Sequence, residues 1–169
     1  MFSGKSHHLF HRLRRARIAK QSVIVYKPAV DNRAGGQHTS SHDGEKFECH
    51  PMPTDDPERI LYSCPSTAQV VAIDEVQFFA PSIVRVCQEL VRHGSRVIVA
   101  GLDQDYRGEP FGSMPTLLAL ADRVDKLTAV CTECGRPATK TQRLTVSKDQ
   151  VEIGASDKYA ARCREHHTF

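Results

Sequence analysis

The stretch Val70–Glu75 reads VVAIDE, four apolar and mostly β-branched residues running without a polar break into two acids. A continuous run of this kind, rather than an alternating one, fits a strand buried on both faces. Two more runs share its character: Ser22–Tyr26 (SVIVY) and Arg96–Gly101 (RVIVAG). Between Val70–Glu75 and Arg96–Gly101 lies Ser82–His93, where Ile83, Val86, Cys87, Leu90 and Val91 recur at helical spacing. Pro81 suits its first turn and Gly94 its end. Met114–Val124 reads as a further short helix. Strands that alternate with helices imply right-handed crossovers and an α/β fold, a parallel sheet with helices on both faces.

The acids at the end of VVAIDE gain meaning from the front of the chain. Met1–Ser6 reads MFSGKS, and its Gly-Lys-Ser ends the phosphate-loop (P-loop) pattern G-x-x-x-x-G-K-[ST]. Gly4 lets the backbone turn its N–H groups toward phosphate oxygens, and the helix that follows adds its positive end. Lys5 places a cation on the terminal phosphates, while the Ser6 hydroxyl suits Mg²⁺. A strand ending in an acid that holds Mg²⁺, often through water, is the usual second half of such a site, and Asp74-Glu75 stand in that place. The bland alternatives are a chance Gly-Lys-Ser and two acids that merely begin a loop.

Composition narrows the classes. The chain has 169 residues, a net charge of +3, 40% hydrophobic and 25% charged residues. That suits one domain, or one domain with a small module, and argues against disorder. No apolar run is long enough for a membrane helix, and +3 is too small to imply nucleic acid. The basic residues are nevertheless uneven: Met1–Val30 holds seven Lys/Arg and no acid. On composition this front end is either a mitochondrial transit peptide or a surface helix with Leu9, Leu13 and Ala16 turned inward. The polar, Gly-rich stretch Asp31–Glu45 reads as a loop or an exposed hairpin.

Beyond residue 126 the pattern changes to short strands, Leu127–Val130 and Thr139–Val146, punctuated by metal-ligand pairs. Cys131-x-x-Cys134 and Cys163-x-x-His166 have 28 residues between them. Two such pairs complete a tetrahedral Zn²⁺ site with no place left for water, so the metal is expected to be structural. His167 competes with His166, although the two-residue gap favours His166. A disulfide framework is not expected in a chain large enough for a core and without a secretory signal. A boundary is expected near residue 126, with a nucleotide-binding domain over 1–125 and a zinc-binding module over 126–169.

With these pieces placed, the chain resembles the zinc-containing (type II) thymidine kinases along almost its whole length. The resemblance is carried by MFSGKS, KPAVDNR, SHDGE, AIDEVQFF, VIVAGLDQDYRGEPFG, LTAVCTECGRPATKTQRL and DKYAARCREHH. It implies a P-loop sheet domain with a small zinc-ribbon lasso domain. It also implies ATP- and Mg²⁺-dependent phosphorylation of the thymidine 5′-hydroxyl, with deoxyuridine as second substrate. A cytoplasmic homotetramer inhibited by dTTP is implied as well, with no nucleic-acid or membrane partner. It decides for the surface helix over the transit peptide.

By position, the resemblance makes Glu75 the general base. Ser3, Gly4, Lys5 and Ser6 become the phosphate cradle and Mg²⁺ ligand, Asp74 the water-mediated Mg²⁺ partner, and Asp31, Arg33 and Gln77 further contacts on the ATP side. Met1, Phe78, Leu102, Tyr106 and Phe111 match residues that enclose the nucleoside. Thr141, the lid stretch Gln150, Val151, Glu152, Ile153 and Gly154, and Tyr159 match those that close over the base.

The family's first strand and the first Gly of its phosphate loop would lie before Met1. The expectation is that Met1 stands downstream of the true start; a truncated gene product is the alternative, and the DNA upstream in frame separates them. Rivals from other classes are a zinc-ribbon binding protein and an inactive remnant.

Overall fold

The computed structural model describes residues 1–29, 38–40, 46–146, 154 and 156–168. Asp31, Arg33 and the lid stretch Gln150–Ile153 therefore lie outside the described residues. Helix α1 (Lys5–Ile18) opens the chain and leads into strand β1 (Val23–Pro28). A short antiparallel pair, β2 (His38–Ser40) and β3 (Lys46–Glu48), follows, so the hairpin reading of the polar stretch holds for its described part. Strand β4 (His50–Met52), helix α2 (Arg59–Ser63), strand β5 (Val70–Ile73), helix α3 (Ile83–Arg92), strand β6 (Arg96–Val99) and helix α4 (Met114–Leu120) complete the α/β part.

The sheet is four-stranded and parallel, in the order β4-β1-β5-β6. Strand β5 lies in its interior with all four residues buried, as its unbroken apolar run requires. Alternate residues feed opposite faces. Val25, Val70 and Ala72 pack with Leu9, Phe10, Leu13 and Ala16 of α1. On the other face Tyr26, Val71 and Ile73 pack with Ile60 of α2, Ile83, Val86 and Leu90 of α3, and Met114 and Leu117 of α4. Each such aliphatic side chain contributes about 1.5–3 kcal/mol when fully buried. The basic front end is thus a surface helix, with Arg14, Arg15 and Arg17 exposed.

Three boundaries differ from the sequence reading. Helix α4 stops at Leu120 instead of continuing to Val124. Ala121 turns extended (ψ 134°), and the chain leaves the helix to bring Asp125 onto Arg12 and Arg123. The first strand of the C-terminal part, β7, is only Ala129–Val130, paired with β8 (Pro137–Ala138). Strand β9 (Lys140–Arg143) ends before Leu144 and Val146, which are exposed, and pairs antiparallel with β10 (Tyr159–Arg162). A small separate cluster of Ala129, Cys131, Ala138, Ala161 and Cys163 gives this part an interior of its own, and Thr141, Arg143 and Tyr159 are buried as well.

Among the described residues β6 pairs with β5 alone and so forms an open edge. A groove of about 1010 Å³ borders that edge; Val91, Leu120, Val124 and Leu127 line it, and it reaches Met1 and Thr141. No helix among the described residues is long and apolar enough to cross a membrane.

Candidate active site

The carboxyl end of β5 and the start of α1 meet at one place. Gly4 caps α1 in the left-handed region (φ 75°), which glycine adopts without strain, and so turns the chain into the helix. Lys5 then reaches across to β5, its Nζ 2.8 Å from Asp74 Oδ1 and 3.2 Å from Glu75 Oε1. Burial alone would lower the Lys5 pKa, but the two carboxylates outweigh it and hold the ammonium above its ordinary value. Asp74 is almost completely buried, and burial raises its pKa although Lys5 pulls the other way. A cation poised between two acids, at the positive end of a 14-residue helix with no acid in its first turn, is the electrostatic setting that phosphate and Mg²⁺ require. Lys27, buried at the end of neighbouring β1, adds a second charged group at this end of the sheet.

Glu75 is held rather than free. Its backbone lies in the left-handed region (φ 48°, ψ 41°), a conformation that costs a non-glycine residue about 1–3 kcal/mol. Gln77 Nε2 donates to Glu75 Oε2 at 2.7 Å, and Gln77 Oε1 accepts from the Leu102 N–H at 3.1 Å. One buried amide thereby fixes the acid and ties it to the loop after β6. The space around that amide is tight: a Cβ on Gly101 would stand 2.7 Å from Gln77 Oε1, and one on Gly112 only 2.4 Å from the Gln77 carbonyl oxygen. Beyond Gln77, Phe78 and Phe111 meet edge to face, their centroids 5.6 Å apart.

The C-terminal part closes against this loop. Thr141 Oγ1 accepts from the Met1 α-amino group at 2.8 Å, and burial lowers that amine's pKa. Lys140 Nζ donates to Gln104 Oε1 at 2.8 Å, and His167 Nε2 donates to the Tyr106 carbonyl at 2.8 Å. Tyr159 sits opposite Arg143 in the β9–β10 pair. Gly154 packs against the aliphatic stem of Lys158.

Cys131, Cys134, Cys163 and His166 present four ligand atoms that all lie within 4.8 Å of one another. Cys134 Sγ is 3.7 Å from Cys163 Sγ, and His166 Nδ1 is 3.2 Å from Cys163 Sγ and 3.8 Å from Cys131 Sγ. Zn–S bonds of ~2.3 Å in a tetrahedron give sulfur separations of roughly 3.8 Å, so the residues fit zinc. Burial would raise the Cys131 thiol, but the backbone N–H groups of Cys163, Glu133 and Cys134 outweigh it and bring the thiol to about 6. Arg136 Nε donates to Cys134 Sγ at 3.4 Å and holds that thiol below its ordinary value. Both shifts favour the thiolates that a metal binds. His167, the competing ligand in the sequence, is engaged at Tyr106 instead.

Residues 1–167 match the family model described as thymidine kinase. A thymidine kinase of Coprothermobacter proteolyticus is 50% identical over 173 residues, an alignment that spans 99% of this chain and 86% of that protein. The chain belongs to the thymidine kinase family.

In this thymidine kinase family member the described site residues form two groups. Ser3, Gly4, Lys5 and Ser6 stand at the head of α1, where Lys5 reaches Asp74 and Glu75. Phe78, Leu102, Tyr106 and Phe111 follow β5 and β6; Met1 contacts Thr141 of the module that carries the cysteines, and Tyr159 is linked to Tyr106 through Arg143. Two contributors escaped the sequence reading. His167 was weighed only as a ligand, and Arg143 carried no motif of its own; the contacts of both with Tyr106 span 61 and 37 residues of chain, a distance at which spacing gives no signal.

Proposed function

We propose that the protein is an ATP-dependent thymidine kinase of the zinc-containing type, transferring the γ-phosphoryl group of ATP to the 5′-hydroxyl of thymidine, with deoxyuridine as second substrate. The observation that carries this reading is the convergence of Lys5, Asp74 and Glu75 within 3.2 Å beneath the Gly4 turn, in a chain of this family.

In the proposed reaction the backbone N–H groups at Ser3–Ser6 cradle the phosphates, and Lys5 moves from its two carboxylates onto the β- and γ-phosphate oxygens. Ser6 and, through water, Asp74 would hold the Mg²⁺ that accompanies ATP, which would supply neutralisation of phosphate charge. Gln77 aims the Glu75 carboxylate at the nucleoside hydroxyl. As that oxygen forms its bond to the γ-phosphorus, Glu75 accepts the proton, the bond to the β-phosphate oxygen breaks, and its electron pair leaves with ADP. Phe78, Leu102, Tyr106, Phe111, Thr141 and Tyr159 enclose the nucleoside and exclude water. Asp31 and Arg33 contact ATP, and the main chain of Gln150–Gly154 reads the base edge. Zn²⁺ is structural, held by Cys131, Cys134, Cys163 and His166, so that 126–169 acts as a lid domain on the 1–125 nucleotide domain. Cytoplasmic location, a homotetramer and inhibition by dTTP belong to the same proposal.

The test is turnover with ATP, Mg²⁺ and thymidine, followed by product phosphate on the nucleoside. Glu75→Gln keeps the hydrogen bond to Gln77 but removes the base, and is expected to lower kcat by roughly 10²–10⁴-fold with ATP binding unchanged. Full turnover in that variant would remove Glu75 from the mechanism.

A further inference from the structure

Arg143 is buried on β9, directly opposite Tyr159 of β10. Its guanidinium carbon stands 3.7 Å from the centroid of the Tyr106 ring and 5.4 Å from that of Tyr159, while Nη2 donates to the Tyr159 hydroxyl at 2.9 Å. One planar cation therefore lies on the face of one aromatic ring and grips the edge of another. The two rings arrive on different elements: Tyr106 on the loop after β6, Tyr159 at the start of β10. The Tyr106 loop has its own ties, through His167 to the Tyr106 carbonyl and Lys140 to the Gln104 side chain, and Arg107 Nε donates to the Tyr106 hydroxyl at 2.9 Å. What Arg143 adds is the tie between the Tyr106 ring and that of Tyr159.

We infer that Arg143 is a positioning residue for the nucleoside, setting the Tyr106 and Tyr159 rings as one unit while touching neither the phosphates nor the reacting hydroxyl. The inference rests on the proposal above that these two rings wall the nucleoside. The chemistry selects arginine. A flat, delocalised guanidinium stacks on a ring face and still donates in its own plane, whereas an ammonium on a flexible stem is a point charge that does not do both. The ATP side of the site is built from α1 and β5, with Lys5, Asp74, Glu75 and Gln77 making their own contacts, so the loss of Arg143 should be felt by one substrate and not the other.

The experiment uses the full chain with Arg143→Lys, Arg143→Met and, as the mildest change, Tyr159→Phe, which keeps the ring and removes only the hydroxyl. The expected result for both Arg143 variants is a thymidine KM raised about 3- to 30-fold, the span of a partly to fully desolvated cation–π contact. The ATP KM and kcat should stay within about twofold of the parent. Tyr159→Phe is expected to raise the thymidine KM less, and to add nothing further when combined with Arg143→Lys. A second readout needs no turnover. The chain has four tyrosines, and 3-fluorotyrosine labelling gives each a fluorine signal. In Arg143→Lys the Tyr106 and Tyr159 signals should move, while buried Tyr26 and exposed Tyr62 stay as references.

A lysine that restores the thymidine KM would overturn the inference, because charge alone would then suffice. A parallel rise in both KM values with a lower thermal midpoint would also overturn it, by making Arg143 merely structural. Unmoved Tyr106 and Tyr159 signals would overturn the coupling itself. A parent chain that does not phosphorylate thymidine would instead sink the functional proposal, and the fluorine signals would still decide whether Arg143 sets the two rings.

Discussion

Asp74 and Glu75 are neighbours in sequence with unlike environments. Asp74 is almost wholly enclosed, whereas Glu75 keeps 13% of its side chain open toward the site. Burial raises the Asp74 pKa above the ordinary 3.8 despite Lys5. The native state therefore binds more protons than the unfolded chain between 3.8 and that raised value, so the Asp74 environment detracts from stability at any higher pH. For turnover the sign is plain: as pH falls through the raised value, the carboxylate is lost and activity falls. The acid limb of kcat/KM is expected above 3.8, and a limb at or below it would show that Asp74 titrates as an exposed acid. Gly112→Ala is expected to be costly for two separate reasons, a φ of 52° and a Cβ placed 2.4 Å from the Gln77 carbonyl oxygen. A loss of about 1–3 kcal/mol, read from thermal unfolding, should come with lower turnover as Gln77 shifts from Glu75. These residue-level roles were only half legible. Lys5, Asp74 and Glu75 stood in motifs, but the grip of Gln77 on Leu102 joins residues 25 apart through a side-chain amide, which no local pattern encodes.

At the level of elements, β1, β5 and β6 were readable because burial on both faces demands unbroken β-branched runs. Strand β4 was not, since Pro51 sits within it and Pro53 follows; the proline is tolerated because β4 is a sheet edge. Helix α4 was overestimated because its apolar pattern continues past Leu120, while ion pairing of Asp125 with Arg12 draws the chain away. The cysteine pairs gave the metal cluster outright, since two-residue gaps fix the turns that present the ligands. Gly135 closes the first of these turns at φ 71°, with its N–H donating to the Cys131 carbonyl at 2.9 Å. The apolar cluster of this part is small, and its larger buried side chains, Arg143 and Tyr159, carry polar groups, so metal should contribute much of its stability, on the order of 10 kcal/mol in small zinc modules. Cys131→Ala is expected to abolish zinc binding and to weaken thymidine binding with it, measured by metal content and titration calorimetry. Thymidine affinity that survives the loss of zinc would show that the lid is anchored by other contacts.

Across the whole molecule, two apolar clusters clamp the sheet from opposite faces, and Asp74 and Glu75 emerge where the interior strand β5 ends between them. That placement was foreseeable from an acid pair following a buried strand. The approach of the C-terminal module was not, because it depends on single polar contacts such as Thr141 with Met1 and Lys140 with Gln104. On the far side of β6, Arg96 and Ala100 send their N–H groups inward to Gln69 and Ile73, so alternation leaves those of Val97 and Val99 facing the groove, a row of donors that one more parallel strand would satisfy.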